Sequence, residues 1–512
     1  MRNFPRILEI NTWPWFHSFR RNRQVNSLEH ISITDWQELT HNFDTIWLMG
    51  IWQRSETSKR IAQTHPGLLR DFQQALPDFQ PVDIVGSPYA IKSYTLDPFF
   101  GPPSTLEKIS QTFHQLEKKI IVDLIPNHIA IDNDWLISHP EFFLHGSPAD
   151  LLHNPEDFFK PPIVINESED PQESAIFVHG KDPYFPSWTD TAQLNAFSAQ
   201  YRREIISILN ELAQWVDGVR CDMAMLLTDR IFKETWKNLA GKPLEREFWV
   251  DVISAVKERH PHFLFIAEVY WDMEWELQQQ GFDFCYDKRL YDRLIHASVD
   301  GIRAHLTASW DYQSKLVRFI ENHDENRAQK TFGEEKSKTV ATLAFTLPGA
   351  YLHHYGEQLG WNIRLPVQLS RFPFEKLNQN INQFYQNLFN KTFLKYQFKD
   401  AKNGKSQSQS ESISWAFNTE IPEPLIGYMW YDQKECEYFI VNFSSVPQNL
   451  TSLSLNFQKN GIQVKFDTIS KINWQSLTNS SRRSSFLIEQ DITERALEFN
   501  PWEVLLLKFH YC

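Results

Sequence analysis

The stretch AQYRREIISILNELAQ, residues 199–214, runs directly into WVDGVRCD, residues 215–222. The first half carries apolar residues at helical spacing and predicts an amphipathic helix. The second half is a short apolar run that ends on Arg220 and Asp222. Such a run, bounded by polar residues, suits a strand buried on both faces of a parallel sheet. A helix feeding a buried strand is the repeating unit of α/β folds.

Working outward, the same kind of run recurs at Ile7–Trp13, Asp44–Trp52, Lys119–Ile125, Phe263–Glu268, Phe282–Tyr286, Leu316–Asn322 and Ala350–Tyr355. With Trp215–Asp222 this makes eight. Between the second and third runs, STLE at 104–107 reads as a capping box, and Leu106, Ile109, Phe113 and Leu116 follow at helical spacing. Eight strands alternating with helices predict an α/β fold, a (β/α)8 TIM barrel over residues 1–400. A doubly wound sheet is the alternative that this pattern leaves open. Residues 129–195, rich in Pro, Asp, His and Phe, are too long for an ordinary connection and predict a small subdomain inserted after the third strand. KNGKSQSQSES at 402–412 is polar and Ser-rich and reads as a linker or surface loop. Alternating stretches beyond it, such as EYFIVNF (437–443) and VLLLKF (504–509), predict a C-terminal antiparallel β-sandwich over 401–512.

Composition narrows the partners. The chain has 512 residues and a net charge of −13. That balance repels phosphate backbones and anionic lipid, so neither nucleic acid nor a membrane is expected as a partner. No run is long and apolar enough for a spanning helix, and MRNFPRILEINTWPWF at the start lacks the apolar core of a signal peptide. Cys221, Cys285, Cys436 and Cys512 form no CxxC pair or disulfide pattern. A cytoplasmic location is the expectation. Oligomeric state is not legible.

Catalytic groups of barrels sit at the C-terminal ends of strands. Here those ends read Asp123…Asn127-His128, Arg220-Cys-Asp222, Ala267-Glu268 and Glu321-Asn-His323-Asp324. Paired carboxylates on neighbouring strands, which lie about 4.8 Å apart, meet the roughly 5–5.5 Å that retaining glycoside cleavage needs between nucleophile and acid/base. A third carboxylate can stabilise positive charge developing on the sugar. Arg220 and Asp222 point the same way on a strand, so the arginine can hold Asp222 ionised. Glu268 must be protonated to act as an acid, and like-charged neighbours would favour that.

The segments DLIPNH (123–128), GVRCD (218–222), AEVYW (267–271) and ENHD (321–324) resemble, in order, the four short conserved regions of the α-amylase family of glycoside hydrolases. GSPYAIKSYTLDPFFG (86–101) is similar to the family's second-barrel-loop pattern. The resemblance covers essentially the whole chain. It implies Asp222 as nucleophile, Glu268 as acid/base and Asp324 as transition-state stabiliser. It further implies His128 and His323 as sugar-binding residues, Arg220 as the residue that orients Asp222, and Tyr89 as a stacking tyrosine. The implied substrate is a maltodextrin- or glycogen-type oligo- or polysaccharide, and the segment after His128 would wall the cleft. No cofactor is required for the chemistry. The resemblance admits a structural calcium at Asn127, near Asp132 and Asp134; otherwise Asn127 is a hydrogen-bonding loop residue.

Two features depart from the pattern or stand outside it. Many starch-cleaving relatives follow the nucleophile with a Lys-His pair; Met225 and Leu226 stand there, and an apolar pair cannot hydrogen-bond an acceptor sugar. GEQLGWNIRLPVQLSR (356–371) is distinctive, and Trp361 or Arg364 is either a substrate contact or part of a packed loop. The competing readings are hydrolysis, glycosyl transfer by the same residues, a sugar-binding relative without catalysis, and a metal-dependent hydrolase built on His128, His323 and Asp324. No HxH or HExxH spacing supports the last.

Overall fold

The computed structural model describes residues 4–161, 175–396, 413–432, 435–450, 457–459, 462–464, 469–479, 482–487 and 497–511. The expected linker at 402–412, the boundary at 400, part of 129–195 and Cys512 lie outside the described residues. Eight parallel strands close a barrel: β1 (Arg6–Asn11), β2 (Thr45–Met49), β3 (Lys119–Leu124), β4 (Gly218–Cys221), β5 (Leu264–Ala267), β6 (Phe284–Tyr286), β7 (Leu316–Arg318) and β8 (Ala350–His354). Each strand neighbours the one before it in sequence, and β8 closes on β1. The doubly wound alternative is thereby excluded. Every residue of β4 is buried, which explains why its sequence does not alternate. Gly218 permits the β4–β5 approach, because a Cβ there would stand 2.5 Å from the Leu264 carbonyl oxygen.

The helix before β4 spans Ala199–Leu212, buries Tyr201, Ile205, Leu209 and Leu212, and starts on Ser198, whose side chain accepts from the Tyr201 amide. The expected capping box at 104–107 does not form. Ser104 is already helical (φ −67°, ψ −10°) and makes no side-chain cap. The Thr105 amide reaches the Pro102 carbonyl, so the turn begins before Ser104, which lacks the extended backbone from which an N-cap hydroxyl reaches the N2 or N3 amide. Glu107 instead accepts from Gln111. Strand ends are also shorter than the apolar runs suggest: β7 stops at Arg318, so Glu321–Asp324 lie beyond the strand.

The chain divides into two compact units, one of residues 7–286 and 363–374, the other of 1–6, 287–362 and 375–512. In the first, part of the 129–195 segment forms two small sheets. Strand His128–Ala130 pairs antiparallel with Thr191–Gln193, and His145–Gly146, Ile176–Val178 and Phe158–Phe159 make a three-stranded sheet. In the second, six antiparallel strands form a sheet in the order 414–418, 425–431, 435–442, 504–511, 469–476, 483–487. β7, β8 and this sheet share one unit for a visible reason. The helix Ala328–Thr346 between them is tied to the sheet by Trp430 donating to the Thr346 carbonyl (2.8 Å) and by the Thr346–Tyr428 hydroxyl pair (2.6 Å). Among the described residues, no helix is long and apolar enough to cross a membrane.

Candidate active site

In the first unit the site is organised around Arg220. Register pairs Arg220 with Asp123 on one side and Ile266 on the other, and Cys221 with Ala267. Asp222 and Glu268, each one residue past that last pair, therefore emerge at the same level on adjacent strands. Arg220 is 1% exposed; its Nη1 donates to Asp222 Oδ1 at 2.6 Å, and its Nη2 lies 2.9 Å from Glu268 Oε2. Asp123 stands 3.8 Å from Nη1 and also accepts from Trp47 Nε1 (3.2 Å) and the Gly50 amide (2.8 Å). The guanidinium lies over the rings of Trp47, Tyr89 and Tyr286, with centroids at 5.3, 5.2 and 5.8 Å. Burial works against its charge, but Glu268, Tyr89, Tyr286 and Asp222 outweigh that and hold it well above its ordinary value. A permanently charged arginine thus bridges the two carboxylates.

Glu268 has more donors than expected. Its Oε2 also accepts from the Met223 amide at 2.6 Å, and its Oε1 accepts from the Tyr270 hydroxyl at 2.8 Å. Its surroundings are therefore not simply anionic, as the neighbouring aspartates alone suggested. Met223 follows Asp222 in a left-handed conformation (φ 45°) that aims its amide at Glu268, while the next amide, of Ala224, reaches the Glu268 carbonyl. Met225 and Leu226 are buried in the ensuing turn, 0% and 3% exposed. The positions where a Lys-His pair would stand are thus part of the core.

His128 is buried, its ring 4.9 Å from that of Trp188 and hydrogen-bonded to the Tyr89 backbone. Tyr89 itself is half-buried beneath Arg220. Burial pushes the His128 imidazole down to about 4, against the pull of Asp190 and the Tyr89 backbone. His128 is therefore neutral at neutral pH. The folded value lies below the ordinary 6.5, so the unfolded chain binds this proton more readily between those two values. The resulting stability is present above pH 6.5 and is lost as pH falls toward 4, to a total of about 3 kcal/mol. Chemical denaturation of the parent should lose stability more steeply with acid across that window than that of His128→Gln; equal slopes would contradict the assignment.

In the second unit, His323 is buried and its Nε2 lies 2.9 Å from Asp324 Oδ2, whose side chain is 43% exposed. Asn322 Oδ1 accepts from the amides of Asp324 and Glu325, both at 2.9 Å, and this turn presents Asp324. Below it Glu321 accepts from Arg327 and the Ala328 amide. Burial raises the Glu321 carboxyl, but Arg327, His354 and the amide hold it below the usual carboxylate range. Trp361 lies 5.4 Å from Arg327 and packs on Gly356, where a Cβ would stand 2.2 Å from its ring. Packing accounts for Trp361, while Arg364 is exposed.

The residues offered for a calcium do not fit one. Asn127 Oδ1 accepts from Gln193 at 3.0 Å, and its amide nitrogen faces His128 and Gln193. The Lys92 ammonium already binds the Asp132 carbonyl, and it binds Asp134 Oδ1 at 2.6 Å. Asp132 Oδ1 is a buried acceptor without a hydrogen bond, but calcium takes six to eight oxygens. Among the described residues no three His, Cys, Asp or Glu side chains converge as metal ligands.

Asp222, Glu268, Arg220 and Tyr89 are thus brought together, with His128 joined through Tyr89, and His323 is paired with Asp324. Sequence reasoning missed Trp47, Tyr270 and Tyr286, and did not single out Asp123 as a partner of Arg220. Three of these carried a signal, because Asp123 opens the DLIPNH segment, Tyr270 lies within AEVYW and Tyr286 ends the sixth apolar run.

The alpha-amylase catalytic-domain family model matches residues 42–412. Alpha-amylase 3 of Dictyoglomus thermophilum is 24% identical over 311 residues, 57% of each chain. A 4-alpha-glucanotransferase of Thermotoga maritima is 23% identical over 319 residues, 57% of this chain and 64% of the relative. The chain thus spans a little over half the length of these relatives. The crystal structure of a maltogenic alpha-amylase from Thermotoga neapolitana shares the fold, with a TM-score of 0.62 and 18% identity over 100% of this chain and 99% of that one. By the extent of the family match, this chain belongs to the α-amylase family.

Proposed function

We propose that the protein is a retaining glycosidase that hydrolyses α-glucosidic bonds of maltodextrin- or glycogen-type saccharides. The observation that carries this reading is the single buried guanidinium of Arg220 shared by Asp222 and Glu268. It holds two carboxylates side by side, as a double displacement requires. Asp222 attacks the anomeric carbon while Glu268 gives a proton to the departing glycosidic oxygen. The resulting glycosyl ester on Asp222 is opened by water, whose proton returns to Glu268. Asp324, fixed by Asn322 and His323, binds sugar hydroxyls and stabilises the oxocarbenium-like transition state. His128 and Tyr89 line the cleavage site. The site needs no metal for these steps. A cytoplasmic setting belongs to the same reading: the buried Cys221 thiol suits a reducing compartment.

Incubation with a series of maltooligosaccharides should release new reducing ends, initially in the α configuration by NMR. No cleavage of any α-glucoside would sink the proposal. Glycosyl transfer is the second reading, favoured by the relationship to a 4-alpha-glucanotransferase. Longer or rearranged glycans at high acceptor concentration would decide for it.

Exposed aromatics near Glu268 suit the acceptor sugar. Trp271 lies three residues beyond it and meets Tyr184 edge-on at 5.0 Å. Asp182 Oδ1 fixes the Tyr184 and Phe185 amides at 2.7 and 3.0 Å, so the tyrosine is held outward. Trp271→Ala should raise KM for maltooligosaccharides about five-fold, the worth of about 1 kcal/mol of ring stacking, and change kcat little. An unchanged KM would remove Trp271 from the substrate path.

A further inference from the structure

The two oxygens of Glu268 are not equivalent. Oε2 lies 2.9 Å from the Arg220 guanidinium, as an ion pair, and accepts from the Met223 amide at 2.6 Å, so a fixed positive charge and a fixed donor both face it. A proton carried by Glu268 therefore sits on Oε1. That oxygen is the one to which the Tyr270 hydroxyl donates at 2.8 Å. The phenol thus occupies the slot through which the acid's proton must leave. A hydrogen bond donated to a carboxylate favours the charged form over the acid.

The backbone supports a built arrangement. β5 ends at Ala267, and Trp271 and Asp272 follow Tyr270 with φ of 62° and 60°. Two successive non-glycine residues in the left-handed region cost on the order of 1 kcal/mol each. Such strain persists where surrounding contacts over-determine the conformation. This turn accompanies the return of the Tyr270 hydroxyl onto Glu268. Other groups that face Glu268 in this unit include Arg220 at the end of β4, which it shares with Asp222, the Met223 amide, and Tyr286 on β6.

We infer that Tyr270 is a positioning residue for Glu268, fixing Oε1 in place and setting the pH above which the acid form is lost. This inference rests on the activity proposed above. In the ionised resting state the phenol donates to Oε1. When Glu268 is protonated, the O–H of the acid points outward, and the phenol must turn to accept or yield its place to the glycosidic oxygen. No bond is made or broken at Tyr270.

The test is the pH profile of kcat/KM on a maltooligosaccharide for the parent, Tyr270→Phe and Tyr270→Leu. Loss of the donor should shift the alkaline limb upward by about one pH unit in Tyr270→Phe, and in the same direction in Tyr270→Leu, which also loses the ring. Well above the parent limb, Tyr270→Phe should then retain about ten-fold more of its own optimal activity than the parent does. A limb that stays in place while activity falls uniformly, or one that moves down, overturns the inference and leaves the proposed activity standing. A parent that cleaves no α-glucoside overturns both.

Discussion

Asp222→Asn should lower kcat on maltooligosaccharides by about 10⁴-fold or more, because the neutral amide cannot form the glycosyl intermediate. Losses of that order follow removal of a nucleophile that acts as a unit with its acid/base partner. Glu268→Gln should cost as much on a natural glucan, whose leaving sugar alkoxide must be protonated as the bond breaks. On an aryl α-glucoside with an acidic phenol as leaving group, the first step needs little proton donation. Glu268→Gln should there form the intermediate readily and stall at its hydrolysis, with a burst of phenol in pre-steady-state kinetics. Asp222→Asn should show no burst on either substrate. The contrast separates the two roles, since exchange of the roles would reverse the burst behaviour. Folding is not expected to confound the result, because Asn and Gln preserve shape: the Asn oxygen can accept from Arg220, and the Gln oxygen can accept from the Met223 amide while its nitrogen donates to the Tyr270 hydroxyl oxygen.

Arg220→Met should have the largest effect on stability. Removing the guanidinium leaves Asp123, Asp222 and Glu268, which are 0%, 5% and 3% exposed, to face each other without their shared cation. Breaking a buried ion pair from one side typically costs about 3–5 kcal/mol. The midpoint shift per kcal/mol falls with chain length, to roughly 1–2 °C for a cooperative unit of this size, so the thermal midpoint should fall by about 5 °C. The deficit should shrink on mild acidification, since protonating a carboxylate relieves the repulsion that the arginine no longer offsets. Differential scanning calorimetry of parent and variant over a pH series reads both effects. A deficit that is constant with pH would mean that Arg220 contributes packing, through Trp47, Tyr89 and Tyr286, more than charge.

Much of the site was legible because it is carried by local spacing. Arg220 and Asp222 stand two apart on a strand, so their pairing follows from the pleat alone. Glu268 ends the next apolar run, and its place beside Asp222 follows from the adjacency of successive barrel strands. His323 and Asp324 are chain neighbours, and they pair. The C-terminal antiparallel sheet was legible from its alternating stretches.

What stayed hidden depends on separations that no local pattern encodes. Lys92 reaches Asp132 and Asp134 from about forty residues away and puts an ammonium where a calcium was admissible. Ser104 looked like a cap, but a turn begun at Pro102 had already made it helical. The Met223 amide serves Glu268 only because the chain takes a left-handed step after the nucleophile, and Tyr270 reaches Oε1 beside a strained turn. The sequence by itself determined the barrel, the antiparallel sheet and the candidate carboxylates, since periodic burial and strand order suffice for these. Only the tertiary structure decided which donors each carboxylate oxygen meets, because that depends on backbone conformations and long-range contacts formed when the strands close.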